Sequence, residues 1–70
     1  MRYAVVIEPV GKLFSAYVPD LPGCVATGPT PDEAELQIRE AIECHLDGLR
    51  QHGAPIPEPS SRVEYINIAS

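Results

Sequence analysis

The sequence predicts an α+β domain: an antiparallel sheet of three or four strands packed against one long helix, in the order β-β-β-α-β. Three observations carry this expectation. Two β-branched, apolar runs at residues 2–8 and 13–18 flank a short cluster of turn residues. A stretch punctuated by proline and glycine, PDLPGCVATGPT, occupies residues 19–30. A capped amphipathic segment, PDEAELQIREAIECHLDGLRQHG, follows it directly.

The first run, RYAVVIE, places Tyr3, Val5 and Ile7 on one face and Ala4 and Val6 on the other. Neither face is strongly polar. Pro9, Val10, Gly11 and Lys12 supply a turn, and LFSAYV returns as the second strand, so the two make a hairpin with a loop longer than two residues. Phe14, Ala16 and Val18 share one face of that strand, and Leu13, Ser15 and Tyr17 the other. Two prolines and a glycine at residues 19–23 then force a corner, because they cannot continue a central ladder. Residues 24–27 read as a short third strand that ends at Gly28 and Pro29.

Thr30 is placed to cap the helix, with Pro31 at its first position and Glu33 where a capping box requires it. Asp32 and Glu33 complement the positive end of the helix dipole. Ala34, Ile38, Ala41, Ile42 and Leu49 recur at helical spacing, with Leu46 on one flank, and Glu35 and Arg39 are set for an i,i+4 pair. Gly53 after His52 marks the end. APIPEPSS is too proline-rich for helix and reads as polyproline-like, and residues 62–68, RVEYINI, read as a last strand. A helix over residues 31–52 is roughly 33 Å long, whereas strands of six or seven residues span only ~20–23 Å. The helix therefore overhangs its sheet, and one helix covers one sheet face. Both features predict a homo-oligomer or a hetero-complex, unless the proline-rich segment folds back over the exposed surface.

Seventy residues make one domain whose single core leaves a thin margin of stability. Its two cysteines have neither the density nor the spacing of a disulfide framework, and no signal or membrane span is present, so a cytoplasmic protein with reduced thiols is expected. Ten acidic residues against five basic ones give a net charge of −5. That balance opposes a grip on phosphates and suits a basic protein partner.

Catalysis finds little support. Glu33, Glu35, Glu40, Glu43 and Asp47 lie mostly on the wet side of the helix, and Glu8, Asp20, Glu58 and Glu64 are scattered, so no carboxylate cluster is expected. Cys44 and His45 are adjacent and point about 100° apart, no CxxC or HExxH spacing exists, and no metal or other cofactor is expected. Neither Cys24 nor Cys44 has an activating base in view. His45 falls near the centre of the apolar stripe and reads either as a hydrogen-bonded structural histidine or as an interface contact. Arg2, Lys12, Arg39, Arg50 and Arg62 are spread out with no aromatic interleaving among them, so direct DNA binding and RNA stacking are not expected.

MRYAVVIEP, PDLPGCVATGPTPDEA, REAIECHLDGLRQHG and PIPEPS, in this order and spacing, resemble the HicB-like antitoxin domains of toxin–antitoxin pairs. The resemblance covers nearly the whole chain. It implies a partial ribonuclease-H-like fold, no enzymatic activity, and a partner: HicA, a small basic toxin that cleaves mRNA and is occluded on binding. The expected contact surface is the sheet edge and the corner of Asp20, Leu21, Pro22 and Gly23, rimmed by Glu43 and Asp47. Many HicB proteins carry a further C-terminal DNA-binding domain; residues 1–70 read as the HicB-like domain alone, so operon regulation is not expected of them. The alternatives are an orphan homo-oligomeric interaction domain and, further off, a nucleic-acid-binding protein or a ribonuclease-H-like nuclease.

Overall fold

The computed structural model describes residues 1–69. Its elements are β1 (Val6–Val10), β2 (Leu13–Tyr17), β3 (Val25–Gly28) and α1 (Pro31–Gln51). The strands form one antiparallel sheet in the order β1-β2-β3, so β2 is central and β1 and β3 are edges. The helix packs on one face of it.

β1 begins later and ends later than its sequence suggests, and the reasons are local. Pairing runs from Val6 opposite Tyr17 to Val10 opposite Leu13. Beyond Tyr17 the partner is lost, because Val18 is already turning: its N–H donates to the Cys24 carbonyl at 3.2 Å and its carbonyl accepts from Leu21 N–H at 3.1 Å. Residues 1–5 therefore run on unpaired. At the other end Pro9 sits inside the strand, against the expectation of a turn there. It is tolerated because β1 is an edge, where a position facing away from the neighbour needs no N–H. The loop is then only Gly11 and Lys12. Gly11 has φ +60° and Lys12 does not lie at positive φ, which is the type II′ pattern.

Ala16, Val18, Leu21, Cys24, Ala34, Ile38 and Leu46 form the buried core. Tyr3, Val5, Ile7, Phe14 and Ile42 pack around it, which matches the predicted faces of both strands and the helix stripe. α1 starts as expected: Thr30 is extended at φ −133°, ψ 161°, and its Oγ1 accepts from Glu33 N–H at 3.1 Å. Its end is a Schellman motif. Gly53 has φ +66°, its N–H reaches the Arg50 carbonyl, and Ala54 N–H reaches the Leu49 carbonyl at 2.9 Å. The Glu35–Arg39 pair is not formed among the described residues; Arg50 instead reaches Asp47 at 3.1 Å, an exposed pair of little energetic weight.

Twenty-one helical residues span roughly 32 Å against four- and five-residue strands, so the overhang exceeds expectation. The proline-rich segment turns back to meet part of it. Ile56 packs against the core, and the Tyr3 hydroxyl donates to the Pro57 carbonyl at 2.5 Å. The predicted last strand is absent: residues 62–69 carry no regular structure. Their pattern suits a strand, yet no strand edge of the same chain lies alongside them. The projecting tail raises the radius of gyration to 13.7 Å, where a compact chain of this length has about 11 Å.

Candidate partner-binding surface

Strand alternation divides the sheet into two faces. Phe14, Ala16 and Ala26 point to the helix. Val10, Leu13, Tyr17 and Val25 point the other way and are 57%, 48%, 37% and 63% exposed. Tyr17 lies opposite Val25 and Leu13 opposite Val10 across the ladders. They form two apolar pairs at opposite ends of the outward face, separated by the row of Glu8, Ser15 and Thr27, and no element of the described chain sits on them. Large apolar surface of this kind on a small domain marks an interaction site.

The corner borders that face at the end where Tyr17 and Val25 pair. It consists of two consecutive turns. Leu21 N–H closes the first on the Val18 carbonyl, with Pro19 and Asp20 between. Cys24 N–H closes the second on the Leu21 carbonyl at 3.0 Å, with Pro22 and then Gly23 at φ +82°, the type II arrangement. The four corner residues have different fates. Pro22 and Gly23 are exposed. Leu21 is wholly buried and supports the corner from inside, so it offers no surface.

Asp20 is committed to the chain itself. Its carboxylate accepts from the N–H groups of Ser60 and Ser61, both at 2.9 Å, and from their hydroxyls at 3.2 and 2.7 Å. Four donors clamp the start of the tail to the corner across forty residues of sequence. The Ser61 amide, its hydroxyl and the Ser60 pair hold the Asp20 carboxyl below its ordinary value, against a smaller opposing effect of burial. Because the folded value is depressed, the clamp contributes fully above the ordinary carboxylate range and is lost only as pH falls through the lowered value. The amide resonances of Ser60 and Ser61 are therefore expected to stay fixed from neutral pH through that range and to move only below it. In Asp20→Ala they shift at every pH, while core resonances such as Ile38 hold.

Glu43 and Asp47 lie exposed on α1, in the other layer. Glu43 lines a groove of about 710 Å³ between residues 1–7 and the helix, and Asp47 is tied to Arg50 on its rim. The structure thus separates these acids from the corner. His45 is half-buried and makes no side-chain hydrogen bond among the described residues, unlike a structural histidine held by its ring nitrogens. Both cysteines are free thiols, Cys44 exposed and Cys24 buried, and burial pushes the Cys24 thiol up, keeping it protonated. Among the described residues no three His, Cys, Asp or Glu side chains gather as metal ligands, and no helix is long and apolar enough to cross a membrane.

The outward face was legible only as a general surplus of apolar residues. The clamp gave no signal in sequence, since one aspartate and two serines in loops are unremarkable apart. Comparison with known proteins supplies the rest. The profile of the HicB-like antitoxins of bacterial toxin–antitoxin systems matches residues 3–69. The chain belongs to the HicB-like antitoxin family. Its fold is also that of a solved antitoxin: the N-terminal domain of HicB from Burkholderia pseudomallei superposes with a TM-score of 0.72 at 30% identity, over 83% of this chain and 69% of that one. Among its relatives, a 14.9 kDa uncharacterised protein from the rep–hol intergenic region of Haemophilus phage HP1 is 37% identical over 67 residues, 96% of this chain. This chain spans only 50% of that protein's length. A UPF0150 protein of Thermoplasma acidophilum is 36% identical over 62 residues, covering 87% of this chain and 90% of its own.

Proposed function

We propose that this domain neutralises a small, basic, HicA-like mRNA-cleaving toxin by protein–protein contact across its outward sheet face. The family match over residues 3–69 carries the reading. The exposed pairs Val10–Leu13 and Tyr17–Val25 support it, as apolar anchors of the kind found in interfaces, with the polar row of Glu8, Ser15 and Thr27 between them. Pro22 and Gly23 extend this surface at its Tyr17–Val25 end. Glu43 and Asp47, on the opposite layer, contribute to the field of a chain of net charge −5, which speeds encounter with a basic partner, rather than to the rim. The domain acts by occupying the toxin and has no reaction of its own, and it works in the cytoplasm, where mRNA is translated. Three antiparallel strands followed by a helix agree with a partial ribonuclease-H-like fold, a likeness of architecture and not of chemistry.

The test is inhibition of a purified HicA-like toxin, assayed on a labelled mRNA. Cleavage is expected to stop at a one-to-one ratio. Val25→Asp places a carboxylate beside Tyr17 at the corner end of the outward face without touching the core, and is expected to weaken inhibition roughly a hundredfold or more. Undiminished cleavage in a saturated complex overturns neutralisation. Unchanged inhibition by Val25→Asp overturns the choice of face.

A further inference from the structure

The hydrogen-bond phase of the sheet decides which backbone groups β3 leaves free. Pro9 has no N–H to give β2, so Pro9 and Phe14 form a non-hydrogen-bonded pair, and Phe14 turns its N–H and carbonyl to Gly28. Two further observations fix the same phase. Val10 and Leu13 flank a two-residue loop, which closes on a hydrogen-bonded pair. Val18 N–H donates to the Cys24 carbonyl, in step with a bonded Ala16–Ala26 pair. Ala26 and Gly28 therefore bond to β2, whereas the N–H and carbonyl groups of Val25 and Thr27 point away from the sheet. Outside the ladder, no hydrogen bond among the described residues reaches any of these four groups.

This edge is also unguarded. β1 carries Pro9 on its own free edge, whereas Val25–Gly28 holds no proline and no charge. Charge selects the partner. Arg2, Arg39 and Arg50 line the groove beside residues 1–7 together with Glu35 and Glu43, Asp47 pairs with Arg50, and Arg62 pairs with Glu64 in the tail. Four bases and four acids balance there, so the net charge of −5 lies in the remainder, six acids against Lys12. Three of those six bracket β3. Glu8 stands in line with Ser15 and Thr27 across the outward face, and Asp32 and Glu33 belong to the helix turn that meets the end of β3 at Gly28.

We propose that an extended segment of the basic toxin adds to β3 as a further strand, its backbone meeting the N–H and carbonyl groups of Val25 and Thr27. This contact presupposes toxin neutralisation and supplies its geometry. Main-chain bonds fix the register, and the exposed Tyr17–Val25 pair beside the edge selects the side chains that follow. A strand of four residues is too short to template indiscriminate pairing. A partner therefore gains affinity only when its side chains also reach the outward face.

Amide hydrogen exchange of the intact chain, alone and with a purified HicA-like toxin, is measured beside inhibition of mRNA cleavage. In the free chain the Val25 and Thr27 amides are expected to exchange fast and those of Ala26 and Gly28 slowly. Toxin is expected to slow Val25 and Thr27 roughly tenfold or more. Thr27→Pro deletes an edge N–H that, as at Pro9, gives nothing to β2, and is expected to raise the toxin dissociation constant roughly tenfold or more. Thr27→Val loses the same hydroxyl, keeps the N–H and is expected to bind as the parent does. Exchange on the parent needs no variant, so a misfolded Thr27→Pro chain does not shield the proposal. Inhibition by the parent with both amides still fast in the complex overturns strand addition and leaves neutralisation standing. So does a Thr27→Pro chain, folded by circular dichroism, that binds as tightly as Thr27→Val. A toxin that stays active in a saturated complex overturns both readings. Concentration-dependent protection of the two amides in the chain alone gives the edge to a second copy and overturns the proposal.

Discussion

Gly28→Ala is expected to destabilise the fold by about 3 kcal/mol or more, a large share of its total stability. Gly28 ends β3 where the sheet meets the first turn of α1, and it is buried. A Cβ built there lies 2.6 Å from the Ala34 nitrogen, 2.9 Å from the Glu33 carbonyl carbon and 3.0 Å from the Ala34 Cα. All three are backbone atoms of a capped helix, so no side chain can swing aside. The backbone angles of Gly28 lie outside the left-handed region; the constraint is space alone. Forcing the helix off the sheet costs about 3 kcal/mol or more. A domain of this length has only about 3.5–10 kcal/mol in total. Gly48→Ala is the internal control. It sits inside α1, a Cβ there meets nothing within 4 Å, and the substitution is expected to stabilise by about 0.5–1 kcal/mol. Urea unfolding followed by circular dichroism measures both. A Gly28→Ala protein within about 1 kcal/mol of the parent refutes the close approach.

Gly28 also shows what a linear reading misses. In sequence it is one member of a Gly-Pro pair that ends a strand, and the helix whose first turn touches it begins only three residues later. Features governed by nearest neighbours were legible. Thr30 and Pro31 announce the helix start, Gly53 its end, and Ala34, Ile38 and Ile42 its inner stripe, although Leu46, which reads as a flank, is buried and Leu49 is only partly so. Tyr3, Val5 and Ile7 read correctly as one face because period two needs no knowledge of partners. Features that depend on a distant partner were not. Pro9 looks like a breaker until β1 is known to be an edge. Residues 62–68 have strand composition, yet a strand exists only where another strand offers its backbone. Asp20 reads as a surface acid until Ser60 and Ser61 are brought to it by the folded-back prolines. In the candidate site the corner itself was visible, whereas the division of its residues between inside and outside was not.

Leu21→Ala tests that division, with a comparably large expected effect. As a short turn between two prolines, the Asp20–Gly23 corner suggests a protruding contact loop with leucine at its tip. In the structure Leu21 is fully buried and shares the core with Ala16, Val18, Cys24, Ala34 and Ile38. Its own N–H and carbonyl serve the two turns, so the side chain is the peg and its backbone the hinge between them. Truncation removes three carbons from the centre of a core that contains only seven buried residues, and is expected to cost about 2–5 kcal/mol. Leu21→Met keeps the volume and is expected to cost less than about 1.5 kcal/mol. The pair separates two readings. If Leu21 is a contact residue, Leu21→Ala folds normally and fails only in toxin inhibition, and Leu21→Met is impaired in the same assay. If it is the internal support, chemical unfolding detects Leu21→Ala without any partner present, and Leu21→Met inhibits as the parent does. Burial demands the second result: Pro22 and Gly23 are presented to a partner only because Leu21 is held beneath them.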